Sequence, residues 1–193
     1  MRIRGEMSMK KYIAFVLALA CVLGLAGCAH FNHEHEGSDN KKANLSEIAL
    51  EEPLDPETSS GIGAEIAFES EDMLIFYGSF GLFGYDLKAN ELKFSVDFMK
   101  AVGIEGSVQG SNGTAVDVSE DGNTIIVSEY KVETDTRGKT CYIDIPSLTY
   151  RYDAYKPLEK PFNKENIKGY IYPGVKISQI KYVLDDKEWS LFE

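Results

Sequence analysis

Short apolar stretches with a period of two, separated by turn residues, run from residue 62 to residue 193. Between Leu92 and Phe98 every second residue is apolar, and the residues between them are Lys93, Ser95 and Asp97. Such alternation is typical of a β-strand with one buried face. About eleven such strands, with frequent turns and no long amphipathic helix, predict an all-β domain over residues 62–193.

One segment of this domain has a second interpretation. Ile177, Ile180 and Leu184 also have helical spacing, so residues 175–184 fit either a strand or a short helix.

A weak internal repeat indicates how the strands are grouped. Residues 66–77 resemble residues 116–127, and Tyr85-Asp86-Leu87 resembles Ile143-Asp144-Ile145. A repeat of this length has the size of one four-stranded propeller blade. A closed propeller needs at least four blades, and this chain has room for two. We therefore predict two blade-like antiparallel sheets packed together, as an incomplete propeller or a sandwich, with a C-terminal hairpin.

The stretch from about Asp72 to Tyr155 also resembles a known kind of module. It is similar to the small β-propeller-like modules found beside clostridial β-lactam-sensing antirepressor peptidases. The resemblance covers less than half of the chain and implies no catalytic residues.

The N-terminal residues have the pattern of a secretory signal peptide. Basic residues precede an uninterrupted apolar run over residues 12–26. This run is shorter than the roughly 20 residues that a membrane-spanning helix needs. A basic start, a short apolar core and small residues at its end indicate a signal peptide, for which Met1, Met7 and Met9 are candidate starts.

The signal segment ends in Leu25-Ala26-Gly27-Cys28, which resembles the lipobox of bacterial lipoproteins. The resemblance implies that residues 1–27 are removed and that Cys28 carries a covalent diacylglyceryl group. Two acyl chains anchor a protein stably, whereas one chain holds it only marginally. The implied location is the cell membrane, on its extracytoplasmic face. An ordinary secretory signal that ends in cysteine is the alternative.

Residues 28–61 are predicted to form an acidic, flexible spacer between the anchor and the domain. Residues 29–60 contain eight acidic residues and two lysines, and Pro53 and Pro56 interrupt any helix, although residues 44–50 have room for a turn or two. Because the removed residues 1–27 contain four basic residues and one acidic residue, the formal net charge of −11 becomes more negative in the mature chain.

All three histidines of the chain lie in this spacer, as His30, His33 and His35, beside Glu34 and Glu36. Imidazoles interspersed with carboxylates bind divalent cations such as Zn²⁺. A flexible segment lacks the closed geometry of a structural metal site. Two interpretations therefore remain, a polar spacer and a metal-handling segment that captures Zn²⁺ weakly near the membrane.

The composition excludes several classes of function. Binding of nucleic acid needs a basic face, which an acidic chain does not favour. No histidine follows residue 35, so the domain has no Ser/His/Asp triad, and Cys141 lacks the histidine base of a cysteine nucleophile. Cys141 is therefore predicted to be buried in the core. We expect a non-enzymatic module that binds an envelope protein or ligand.

A cluster of aromatic residues occupies residues 76–85. Its members are Phe76, Tyr77, Phe80, Phe83 and Tyr85, and they alternate with three glycines. Glycines in strands mark bulges or close backbone approach, so aromatic rings packed over them in a core are one interpretation. A ligand-binding surface made by Tyr77, Phe80, Phe83 and Tyr85 is the other.

The sequence Asp117-Val118-Ser119-Glu120-Asp121-Gly122-Asn123 imitates the start of a calcium-binding loop. Such a loop requires a bidentate glutamate at its twelfth position, where this chain has Ser128. A hairpin turn between two strands is therefore the favoured interpretation, and calcium binding is the alternative.

Overall fold

The computed structural model of the protein describes residues 41–51, 54–55, 57, 64–79, 81–104 and 113–192. Within residues 65–190 the described segments form eleven β-strands, which confirms the predicted all-β fold. They make separate antiparallel sheets, and none of the described sheets closes into a barrel.

Four consecutive strands form the middle sheet of the fold. They are β2 (Glu65–Glu69), β3 (Met73–Gly78), β4 (Gly81–Asp86) and β5 (Glu91–Val96), paired in chain order. Helix α1 (Phe98–Val102) follows β5. Asp97 lies directly before the helix, and its carboxylate accepts the backbone N–H groups of Met99 and Lys100. Asp97 is thus a conventional N-cap. No helix in the described part of the chain has the length and apolar character needed to cross a bilayer.

The next four strands form a second sheet, again in chain order. They are β6 (Gly113–Val118), β7 (Thr124–Lys131), β8 (Thr136–Asp144) and β9 (Thr149–Tyr152). The two-residue strand β1 (Ala43–Asn44) pairs antiparallel with β9 and makes this a five-stranded sheet.

Three strands make the C-terminal sheet. The predicted hairpin is formed by β11 (Lys181–Leu184) and β12 (Lys187–Ser190), and β10 (Tyr170–Tyr172) pairs with the other side of β11. Short 3₁₀ helices occupy Lys164–Asn166 and Ile177–Gln179. Both interpretations of residues 175–184 therefore apply in part, because one helical turn precedes the strand.

The two larger sheets share their turn chemistry, as the internal repeat predicts. Ser70 donates its backbone N–H to the carbonyl of Met73 at 2.9 Å, and its hydroxyl accepts the Met73 N–H at 3.0 Å. Ser119 makes the same two bonds with Thr124, each at 2.9 Å. Each serine thus closes the turn between the first two strands of its sheet.

The turn between the last two strands of each sheet is also repeated. The Asp86 carboxylate accepts the backbone N–H of Ala89 at 2.9 Å, and Asp144 accepts that of Ser147 at 3.1 Å. The next residues, Asn90 and Leu148, have positive φ angles of 59° and 48°. The blade-like grouping of the strands is therefore visible in the local hydrogen bonding as well as in the strand order.

The middle sheet is buried on both faces. One core lies between it and the five-stranded sheet, and a second core lies between it and the C-terminal sheet. Ile75 and Phe76 are neighbours in β3, yet Ile75 belongs to the first core and Phe76 to the second, and both are 0% exposed. The domain therefore has three layers, of which the predicted pair of packed sheets forms two.

Residues 43–48 pack against the domain, which corrects the predicted extent of the spacer. Leu45 and Ile48, in a 3₁₀ helix (Leu45–Ile48), are each 3% exposed and lie in the first core. The Leu45 N–H donates to the Leu148 carbonyl at 2.9 Å, and the Ile48 carbonyl accepts the Asp97 N–H at 2.8 Å. Although the segment is acidic overall, its two apolar side chains, Leu45 and Ile48, are buried in the core.

Truncating Leu45 tests this correction. We expect Leu45→Ala to lower the free energy of unfolding by about 2 to 5 kcal/mol, because it leaves a cavity in the first core. Exposed Ser46 is the matched control, and Ser46→Ala should change the value by less than about 0.5 kcal/mol. Urea denaturation of the mature chain measures both. Equal midpoints for the two variants would mean that this segment does not stabilise the domain.

Candidate functional site

The predicted aromatic ligand surface is largely core. Phe83 and Tyr85 are buried, and the Phe83 ring stacks on Phe76 with 5.3 Å between centroids. The Phe94 ring covers Gly84, where an added Cβ would lie 2.0 Å from the ring. Phe83 and Tyr85 are thus packing residues, which corrects their assignment to a ligand surface and supports the core interpretation. Phe80 lies outside the described residues.

Tyr77 is the member of the predicted set that is partly exposed. Its hydroxyl donates to the Glu65 carboxylate at 2.6 Å, and the Lys164 ammonium lies 6.0 Å from its ring centroid. Burial, followed by the hydrogen bond to Glu65, raises the pKa of Tyr77 well above its ordinary value. The polar end of Tyr77 is therefore engaged within the fold.

Several predicted sites on the N-terminal segment lie outside the described residues. These are the lipidation site Cys28 and the candidate metal ligands His30, His33 and His35. They remain predictions. Among the residues that the structure describes, no group of three or more His, Cys, Asp or Glu side chains is placed to hold a metal ion.

The calcium-like sequence forms the predicted hairpin turn between β6 and β7. Asp121 accepts the Ser119 hydroxyl at 2.6 Å and the Asn123 backbone N–H at 3.0 Å. Asp117 instead faces Arg137, with 3.4 Å between the carboxylate and the guanidinium. The two carboxylates are thus used separately, one in the turn and one in an ion pair.

Cys141 is buried in the first core, as predicted. Burial raises the pKa of its thiol to about 12. Because the thiolate is the reactive form of cysteine, this environment suits a packing residue.

The outer face of the five-stranded sheet carries a polar cluster around Arg137. The guanidinium lies between the rings of Tyr130 and Tyr155, 5.3 and 5.1 Å from their centroids. It donates to the buried hydroxyl of Ser128 at 3.0 Å, and Tyr155 donates to the same Asp117 carboxylate that faces Arg137. Because its charges and donors are paired with one another, we assign this cluster to stabilising the fold.

The described part of the chain includes two surface depressions whose size and lining bear on ligand binding. One lies beside Tyr142 and Arg151 and has a volume of about 140 Å³. This volume is smaller than the roughly 300 Å³ of a small-molecule pocket. The other has a volume of about 550 Å³, lies between the β6–β7 turn and residues 158–160, and is open and lined mainly by charged side chains. Neither combines the enclosure and apolar lining of a small-molecule site.

Among the described residues, the C-terminal sheet presents the most exposed aromatic groups. Tyr170 and Tyr172 are 57% and 59% exposed. We call the surface on this side of the sheet the tyrosine face and define it by Tyr170, Tyr172, Lys181, Val183 and Glu188, which the strand register places together, and by Lys168, two positions before Tyr170. Exposed aromatic residues grouped on one surface mark interaction sites more often than scattered apolar residues do.

The alternating pattern predicts a strand over residues 168–172 but does not show which of its sides is exposed. The available signal was the order Lys168-Gly169-Tyr170-Ile171-Tyr172, in which glycine and isoleucine alternate with longer amphipathic side chains. In the structure Ile171 packs against the second core while both tyrosines face outward. Deciding which side faces the core requires knowledge of what covers each side of the strand.

Comparison with protein-family models, with curated proteins and with solved structures finds no match to this chain.

Two buried tyrosines allow a test of the packing assignment. The Tyr85 hydroxyl shares its hydrogen between the Asn90 side-chain oxygen at 3.0 Å and the Ser190 carbonyl at 3.2 Å, whereas the buried Tyr182 hydroxyl lies near the Glu69 carboxylate without a hydrogen bond of normal geometry. We expect Tyr85→Phe to cost about 1 kcal/mol of unfolding free energy and Tyr182→Phe less than about 0.5 kcal/mol. Urea denaturation measures the unfolding free energy of both variants. An equal loss in the two variants would mean that the hydrogen bonds of Tyr85 do not stabilise the domain.

Proposed function

We propose that this protein is a non-catalytic binding module of the cell envelope. A diacylglyceryl group on Cys28 holds it at the extracytoplasmic face of the membrane, and the tyrosine face binds an envelope component. The anchor is supported by Leu25-Ala26-Gly27-Cys28 at the end of a short apolar segment.

The observation that carries the binding proposal is the exposure of Tyr170 and Tyr172 on one side of the C-terminal sheet. A tyrosine ring contributes a large apolar area, a hydroxyl for hydrogen bonding and little side-chain entropy to lose, so tyrosine is enriched at interfaces. The domain core does not need these side chains, because Ile171 and Tyr182 supply the inner side of the same strands.

Sedimentation with envelope fragments of the producing cells tests this function. The mature chain, residues 28–193, carries Cys28→Ser so that binding does not depend on lipid. We expect it to sediment with the fragments, and Tyr170→Ser/Tyr172→Ser to lower the bound fraction at least about threefold, since two anchors of the contact are lost.

A second double variant controls for loss of any exposed apolar side chain. Leu92→Ser/Met99→Ser removes two other exposed residues and should leave the bound fraction unchanged. The proposed function would be contradicted if the two double variants sedimented in equal fractions. It would also be contradicted if the Cys28→Ser chain with both tyrosines did not sediment with the fragments.

A further inference from the structure

We infer that the tyrosine face binds an anionic phospholipid surface, so that the domain lies against the membrane that holds its anchor. This inference rests on the proposed function, because it names the envelope component that the same face contacts.

The side chains of the face come from two paired strands. Tyr170 is paired with Val183 and Tyr172 with Lys181, so the four side chains share one side of the sheet. Lys168 precedes Tyr170 by two positions and is exposed. Glu188 of β12 lies on the same side, beside Val183, and pairs with Lys181. Tyrosine rings near lysines match the composition of proteins that lie at a membrane interface, where tyrosine occupies the headgroup level and lysine extends toward phosphate.

The available contact is the face of the sheet, because the edge of β10 is obstructed at both ends. At its start the Glu69 carboxylate accepts the backbone N–H groups of Lys168 and Gly169, at 3.1 and 2.9 Å. Directly after β10 comes Pro173, which has no N–H to donate. A partner strand therefore has little free backbone to pair with, whereas a planar surface can reach both tyrosines.

The distribution of charge favours an anionic surface on this side of the domain. Residues 156–193 contain seven lysines and six acidic residues, whereas residues 28–155 contain nine basic and 24 acidic residues. Glu188 pairs with Lys181 at 3.0 Å, and Lys176 pairs with Glu57. Lys168 forms no ion pair with another described residue. An anionic bilayer therefore repels the rest of the acidic domain more strongly than it repels this region.

The length of the chain between the proposed anchor and the domain keeps the domain close to the bilayer. Cys28 and Ala43, the first residue of β1, are 15 positions apart. Even a fully extended chain of this length spans only about 50 Å. The anchored domain is therefore held at a high effective concentration beside the bilayer, where an affinity too weak to recruit it from solution is sufficient for contact.

A fluorescence quenching experiment tests the contact without requiring lipidation of Cys28. The mature chain with Cys28→Ser is attached to nickel-chelating lipid by an N-terminal hexahistidine tag. Val183→Cys provides the site for a small fluorophore, because Val183 is partly exposed on the same side of the sheet and both tyrosines stay in place. Buried Cys141 is protected from the reagent. The vesicles contain equal parts of phosphatidylglycerol and phosphatidylcholine, with a nitroxide quencher at the lipid headgroup.

We expect the fluorophore at residue 183 to be quenched at least about twofold more than one introduced by Met99→Cys, a control position that is exposed. Replacing phosphatidylglycerol with phosphatidylcholine should remove most of this difference. Val175→Cys, three positions after Tyr172, provides a second position if the first variant does not fold. Equal quenching at residues 183 and 99, or a difference independent of phosphatidylglycerol, would overturn the inference. Binding to envelope fragments without such quenching would leave the proposed function standing and point to another envelope component.

Discussion

Replacing Cys28 with serine should release the protein from the membrane fraction and abolish its labelling by a radioactive fatty acid. Each methylene that enters the bilayer contributes about 0.8 kcal/mol, so two acyl chains hold a protein far more firmly than the contacts of a few side chains. The expected change is therefore nearly complete, from membrane-bound and labelled to unlabelled protein in the soluble or secreted fraction.

Cys21 supplies the matched control for this experiment. It lies inside the apolar segment, seven positions before Cys28, and leaves with residues 1–27 in the proposed processing. Cys21→Ser should therefore keep both the label and the membrane location. Labelling that survives Cys28→Ser, or that disappears in Cys21→Ser, would refute Cys28 as the lipidation site.

Truncating either of two neighbouring residues in β3 should destabilise the whole domain. Ile75 faces the first core and Phe76 the second, and both are fully buried. We expect Ile75→Ala to lower the free energy of unfolding by about 2 to 5 kcal/mol and Phe76→Ala by about 3 to 5 kcal/mol, because each leaves a cavity. In a sheet with one solvated face, truncating one of the two adjacent residues would change the free energy of unfolding very little.

Urea denaturation followed by circular dichroism measures the two effects. The matched control is Leu92→Ala in strand β5 of the same sheet, because Leu92 is 41% exposed and its loss should cost much less. Both core variants should unfold in one transition with an unchanged dependence on urea. A near-neutral Phe76→Ala would mean that the C-terminal sheet does not cover β3 in solution.

The strand pattern and the repeat were predictable because they depend on local signals. Ser119 and Asp144 stand at turns whose hydrogen bonds involve residues a few positions away. Sequence periodicity therefore located the strands of both larger sheets and grouped them correctly.

The features that sequence analysis missed depend on contacts between distant parts of the chain. The acidic composition around Leu45 and Ile48 predicts a spacer, whereas their burial depends on a core formed by later parts of the chain. For Phe83 and Tyr85 the sequence allows both a core and a ligand surface, and a distant contact decides for the core, since Tyr85 donates a hydrogen bond to Ser190, 105 positions away. The outward direction of Tyr170 likewise follows from the layer beneath it. In each case the deciding partner lies in another sheet.

The docking of Leu45 and Ile48 determines how force on the proposed anchor would enter the domain. The pairing of β1 with β9 consists of two residue pairs, which a pull along the chain separates one after the other. The next step is to extract Leu45 and Ile48 from between the two larger sheets, since both belong to the first core. Force from envelope growth or shear would thus act on the interface between the two larger sheets. The apolar contacts of Leu45 and Ile48 would resist this force.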